Sequence, residues 1–152
     1  MMANNPAVIS ENGKTQSPVS VKEACVFLSG YASALLGCGA TCIRIEKNVN
    51  RMAETFGIDY SMVIMPATVQ MTVWDKGRQH SYSNIQKIRK SGTSFNINTQ
   101  LSRLSWELHD GKVNFSEAVD KMESILNTRP ENRWLVLALA SVANASFCRL
   151  FG

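Results

Sequence analysis

The chain has 152 residues, enough for one domain with a real core, and its 45% apolar and 18% charged residues describe a folded protein rather than a disordered one. The net charge is +4. Its basic residues are scattered, with "KIRK" (Lys87 to Lys90) the one cluster, and no aromatic residues interleave there as they do in single-strand nucleic-acid binders. Solvated loop surface is therefore the reading of that run, and no nucleic-acid partner is expected.

The first stretch, "MMANNPAVISENGKTQSPVS", is rich in Asn, Ser, Thr and Pro and lacks the basic and apolar regions of a secretory signal. Residues 1–19 read as a disordered lead-in. Order is expected from Ser20, where "SVKE" forms a capping box with Glu23. Ala24, Phe27, Leu28, Tyr31 and Leu35 then recur at helical spacing, and "GCG" (Gly37 to Gly39) ends the helix. A second helix is expected over residues 40–56, with Cys42, Ile45, Val49, Met52, Ala53 and Phe56 on its core face and Gly57 as terminator.

The period then changes. "DYSMVIMP" and "TVQMTVW" are rich in β-formers, and Val69, Met71 and Val73 alternate with polar residues as in a half-buried strand. "DKG" (Asp75 to Gly77) reads as a hairpin turn and "RQHSYS" as a polar edge strand. "KSGTSFNIN" reads as a loop before a helix over residues 99–109, with Leu101, Leu104 and Leu108 on one face and Gly111 beyond it. "NFSEAVDKMESIL" is a further helix with Glu117 in its first turn and Ala118, Met122 and Ile125 toward the core. The fold class is therefore α+β: a small antiparallel sheet with helices packed against it, over residues 20–128.

The final stretch, "TRPENRWLVLALASVANASFCRLFG", opens with a capping-box pair, Thr128 and Glu131, and with Pro130 in its first turn. The run from Trp134 to Gly152 would be about 28 Å long as a helix, close to the ~30 Å of a bilayer core. Two readings stand side by side. Ser141, Asn144, Ser146 and Arg149 favour a buried core helix. Trp134 beside Arg133, and the small-residue stripe Ala138, Ser141, Ala145 and Cys148, favour a membrane helix.

The chemistry-bearing residues are sparse. Cys25, Cys38, Cys42 and Cys148 form no C-x-x-C pair, and His80 and His109 are remote from them in sequence, so neither a metal site nor a cofactor is expected. Reduced, mostly buried thiols in a cytosolic setting are the reading. The histidines read as solvent-facing or locally hydrogen-bonded. "GCGA" lacks the lysine and hydroxyl of a phosphate loop, and no nucleophile–base set or carboxylate pair stands out.

From Phe27 onward the chain resembles the N-terminal cytosolic domain of the threonine/serine exporter family, in the branch split over two chains. "LLGCGATCIRIEKNVNRMAETFGI", "TVQMTVWDKG", "HDGKVNFSEAVDKMESI" and "RWLVLALASVANASFCRLFG" carry the resemblance, in order and spacing. It implies that residues 129–152 are the first transmembrane helix, truncated, with the family's further spans beyond them. It also implies a subunit of an inner-membrane secondary carrier for threonine/serine or succinate, completed by a second membrane subunit, the lipid bilayer and, as an option, further copies of itself. The basic flank Arg129 and Arg133 places the N-terminal domain in the cytoplasm. Gly39, Arg44 and Glu46 fall in the family's helix-pair motif; Glu46 is expected to pair with Arg44 or Arg51 or to cap the glycine turn. Arg149, about 22 Å along the last helix at the standard rise of ~1.5 Å per residue, is the candidate for attracting a substrate carboxylate. The alternatives are a regulatory or assembly domain of a membrane complex and a membrane-tethered hydrolase-like enzyme.

Overall fold

The computed structural model describes residues 19–88, 94–127 and 133–151. Helix α1 (Val21–Gly37) and helix α2 (Cys42–Phe56) come first, followed by strands β1 (Ile58–Met65), β2 (Thr68–Asp75) and β3 (Ser81–Lys87). Helices α3 (Phe95–His109), α4 (Phe115–Leu126) and α5 (Arg133–Phe151) complete the order. The strands form one antiparallel meander in the order β1-β2-β3. The α+β class and the placing of the sheet between two pairs of helices agree with the sequence reading.

α1 is the axis of the body. It is buried on nearly every side, because it lies between the sheet and the other helices. Its sheet-facing stripe is small and polar: Cys25, Ser29 and Ser33. Cys25 Sγ donates to Met71 O at 3.6 Å, Ser29 Oγ accepts from Asn84 Nδ2 at 2.7 Å, and Ser33 Oγ donates to Lys87 O at 3.0 Å. Short side chains let the helix lie close to the strands, and each polar atom that loses water there regains a partner. Burial pushes the Cys25 thiol pKa up, so this sulfur stays a neutral packing group. The strand residues Val69, Met71 and Val73 meet α1 from the other side and are fully buried.

Opposite the sheet, Phe27 of α1 meets Phe56 at 6.2 Å and Phe115 at 5.4 Å between ring centroids, while Phe56 and Phe115 stand 5.5 Å apart. All three contacts are edge-to-face, the geometry that ring quadrupoles favour. Leu101, Leu104 and Leu108 of α3 and Ala118 of α4 close this layer. α4 comes near α1 at Gly30, where an added Cβ would stand 3.7 Å from Met122 Cε.

The helix ends follow local chemistry. Gly39 has φ +83°; its N–H donates to Leu36 O, and the Ala40 N–H donates to Leu35 O. This is a Schellman turn, and it explains "GCG" as a sharp reversal between α1 and α2. Gly111 repeats the device after α3: its N–H donates to Leu108 O, and the Lys112 N–H donates to Glu107 O.

Several expectations shift. α3 begins at Phe95 rather than 99, because Ser94 accepts from the Ile97 N–H and caps the helix earlier. Arg78 to His80 belong to the β2–β3 turn, not to a strand. Asp75 Oδ1 accepts from the N–H groups of Gln79 and His80, and Arg78 takes φ +52°. Cys42 is exposed rather than part of the core, since it is the first residue of α2, and Cys148 is exposed on α5, so only Cys25 and Cys38 are buried. The lead-in, the Thr128–Glu131–Pro130 helix start, and Arg89 and Lys90 of "KIRK" lie outside the described residues.

The last stretch is a helix, α5, of 19 residues. Every described side chain on it, from Leu137 to Arg149, is exposed, so the core-helix alternative does not hold for this chain. Among the described residues no helix is long and apolar enough to cross a membrane. Ser141 turns its hydroxyl onto Leu137 O at 2.8 Å, the back-bond by which a helical serine meets its own hydrogen-bonding need.

Candidate functional site

The densest polar constellation is one that sequence reasoning passed over. α2 and α3 run parallel, and four polar pairs join them, each 54 residues apart: Arg44 with Asn98, Asn48 with Ser102, Arg51 with Ser105, and Thr55 with His109. On each helix the spacing is four, three, four, which is the seam spacing of packed parallel helices. Polar residues fill a seam where leucines would ordinarily stand. The signal was present as two matching polar strings, but it runs along faces that a search for apolar periodicity discards.

Arg51 is the centre. Its Nη1 donates to Asn48 Oδ1 at 3.1 Å and to Ser105 Oγ at 2.6 Å, and its guanidinium lies 3.5 Å from the centroid of the Trp106 ring. Ser105 passes its own proton to Ser102 O at 2.7 Å, and Asn48 Nδ2 donates to Ser102 Oγ at 3.2 Å. Beneath this layer Tyr31 OH donates to Leu101 O at 2.8 Å. Burial pushes the Tyr31 pKa well above its ordinary value, and hydrogen bonds from Ser105 and Asn48 with the Arg51 charge only partly offset that.

This arrangement does not activate a nucleophile. Ser105 receives a cationic donor and spends its hydrogen on a backbone carbonyl, so no base stands ready to take its proton. Thr55 Oγ1 donates to Arg51 O, and its His109 contact, at 3.4 Å, is long and exposed. Among the described residues no three metal-ligating side chains come together. The seam orients helices.

Tyr31 gives the domain a pH limit. Its folded pKa is raised, so folding favours the phenol, and that stability is complete below the unfolded pKa of about 10. It is lost as pH rises beyond that value toward the folded pKa. We expect circular dichroism from pH 8 to 12 to show an alkaline loss of structure, and Tyr31→Phe to move its onset upward. An unmoved onset would assign the loss to other groups.

A second feature is an open groove between α3 and α4 lined by Asn96, Gln100, Arg103, Glu107, Lys121 and Ser124. Glu107 bonds Arg103 at 3.0 Å and Lys121 at 2.8 Å, and these cations, Lys121 foremost, lower its pKa. The three charges satisfy one another at a solvated surface, which is worth little to stability.

The residues singled out from sequence are not brought together into one pocket. Gly39 forms the α1–α2 turn. Arg44 reaches Asn98 at 3.2 Å. Glu46 is exposed and makes no ion pair with Arg44 or Arg51 among the described residues, because those guanidiniums point along the seam toward α3. Its carbonyl accepts weakly from Tyr60 OH at 3.5 Å. Arg149 is exposed on α5, and no hydrogen bond or ion pair joins it to Gly39, Arg44 or Glu46 among the described residues. His80 is exposed and pairs locally with Asp75 at 3.1 Å.

A folded α+β body is followed by a final helix, α5, whose described side chains are all exposed. Residues 27–152 match the family described as "Putative threonine/serine exporter", and the chain belongs to that family, ThrE. Membership ties it to export and to association with a membrane. No curated protein and no solved structure matches the chain.

Proposed function

We propose that this chain is the N-terminal part of an inner-membrane secondary transporter that exports small carboxylate metabolites, threonine/serine or succinate. Its family membership extends through α5, and α5 carries the reading: an apolar helix with every described side chain exposed needs lipid or other helices to cover it. The folded domain lies in the cytoplasm, on the side of the basic flank Arg129 and Arg133. A second membrane subunit completes the pathway. Protonophore-sensitive efflux of threonine, serine or succinate from cells carrying the gene, absent from deletion cells and restored by complementation, tests this. Equal efflux from both strains overturns it.

Arg149 supplies the charge in this reading. A guanidinium among apolar helix residues is retained where it meets an anion or water. Arg149→Gln is expected to reduce efflux at least tenfold with an unchanged amount of protein in the membrane fraction. Unaltered efflux would make Arg149 an interfacial anchor.

One observation favours a second reading, a regulatory or assembly domain. Among the described residues the polar groups of the α2–α3 seam bond one another and hold the two helices together. In that case the domain binds the partner chain, and surface substitutions on it change assembly but not substrate preference.

A further inference from the structure

We propose that one end of the folded domain docks on an anionic lipid surface. The α1–α2 turn, the starts of α2 and α3, the β1–β2 turn and the end of β3 gather at this end. Three contacts fix the gathering: the Ser94 N–H donates to Cys38 O, the Ile88 N–H donates to Ala67 O, and Ser33 of α1 bonds Lys87 O. Among the described residues, large apolar side chains are exposed there: Phe95 is 81% exposed, Ile43 68% and Met65 39%. Phe95 and Ile43 stand in the first turns of two parallel helices, so they project side by side, and neither packs into the core.

Charge separates this end from the opposite one. Arg44 and Lys87 are exposed here. The sequence has no carboxylate between Glu23 and Glu46 or between Asp75 and Glu107. Asp59 and Asp75 stand at the far ends of their strands. The first carboxylates met along α2, along α3, and backward from the end of α4 are Glu46, Glu107 and Glu123, each about a turn or more inside. Exposed aromatic and aliphatic side chains beside two exposed cations, with no carboxylate among the described residues at this end, match a surface that is apolar inside and negative outside. An acidic protein face would also bury an exposed phenylalanine and isoleucine, and the family's association with a membrane is what selects lipid as the occupant. The proposal rests on the membrane association of the family and not on any substrate.

The native Cys42, exposed at this end, serves as the reporter. In the full chain carrying Cys148→Ser, an environment-sensitive fluorophore on Cys42 is mixed with phosphatidylcholine vesicles, or with vesicles containing about one third phosphatidylglycerol. A control chain with Cys42→Ser, Cys148→Ser and Asp110→Cys carries the fluorophore at the other end of α3. We expect a blue shift and shielding from iodide at Cys42 with anionic vesicles only, reversed by salt, and neither change at position 110. Ile43→Ser with Phe95→Ser should weaken anionic-vesicle binding about tenfold. Both side chains are exposed, so this variant keeps the fold, checked by circular dichroism. Vesicles that bind through α5 without altering Cys42, or that alter it equally whatever their charge, would overturn the proposal. Shielding of Cys42 only in native membranes that contain a partner chain would also overturn it, in favour of a protein surface. The efflux comparison is read separately, so failure here leaves the transport reading standing.

Discussion

Phe27→Ala is expected to destabilise the domain by about 3–5 kcal/mol, the range for removing a buried aromatic ring from a packed core. Phe27 touches Phe56 and Phe115 edge-to-face and lies near Tyr31, 6.4 Å between centroids. Its removal empties the point where α1, the end of α2 and the start of α4 meet, and none of the three can close the gap alone. The loss should appear as a lower urea midpoint with an unchanged slope, measured in detergent micelles that cover α5. A cost below about 1 kcal/mol would mean that Phe56 and Phe115 collapse into the space, and that the aromatic triad is adaptable filler.

Arg51→Met should cost about 2–3 kcal/mol, the size of charge-assisted hydrogen bonds lost from partly buried partners. Methionine keeps much of the length and apolar stem but abandons Asn48 Oδ1, Ser105 Oγ and the face of Trp106 together. Arg51→Lys is expected to recover less than half, because an ammonium cannot reproduce the planar fork that reaches two acceptors while stacking on a ring. If lysine restored the full stability, charge alone would be what the seam needs. If methionine were neutral, the polar ladder would contribute specificity of register rather than stability.

The apolar half of this fold was legible in the sequence. The α1 stripe, the alternation of Val69, Met71 and Val73 and the leucines of α3 declared their elements, because burial imposes a period on hydrophobic residues. Boundaries were harder. The start of α3 depended on one serine side chain, and the β2–β3 turn on an aspartate folding back over its own backbone. The seam was hidden for a different reason. Arg44, Asn48, Arg51 and Thr55 look like a solvated face until a second helix with the same spacing is set beside them, and that pairing is a property of the tertiary fold. Glu46, offered by the sequence as an ion-pair partner, lost its arginines to that seam. The final helix was legible as a helix, while the sequence left a core helix and a membrane helix side by side, because its apolar run and its polar residues point to different surroundings.

The position of α1 bears on where the cooperative unit begins. Without α1 the sheet has no second layer, and the aromatic cluster loses its central ring; neither half could bury its apolar face alone. The two layers should therefore melt in one transition, since each holds the other through the same helix. The family match starts at Phe27, in the second turn of that helix. A fragment cut there would discard Ala24 and Cys25, both fully buried, together with the Ser20–Glu23 cap. The physical domain is thus longer than the stretch that identifies it, and a truncation meant to be soluble and folded should start no later than Ser20.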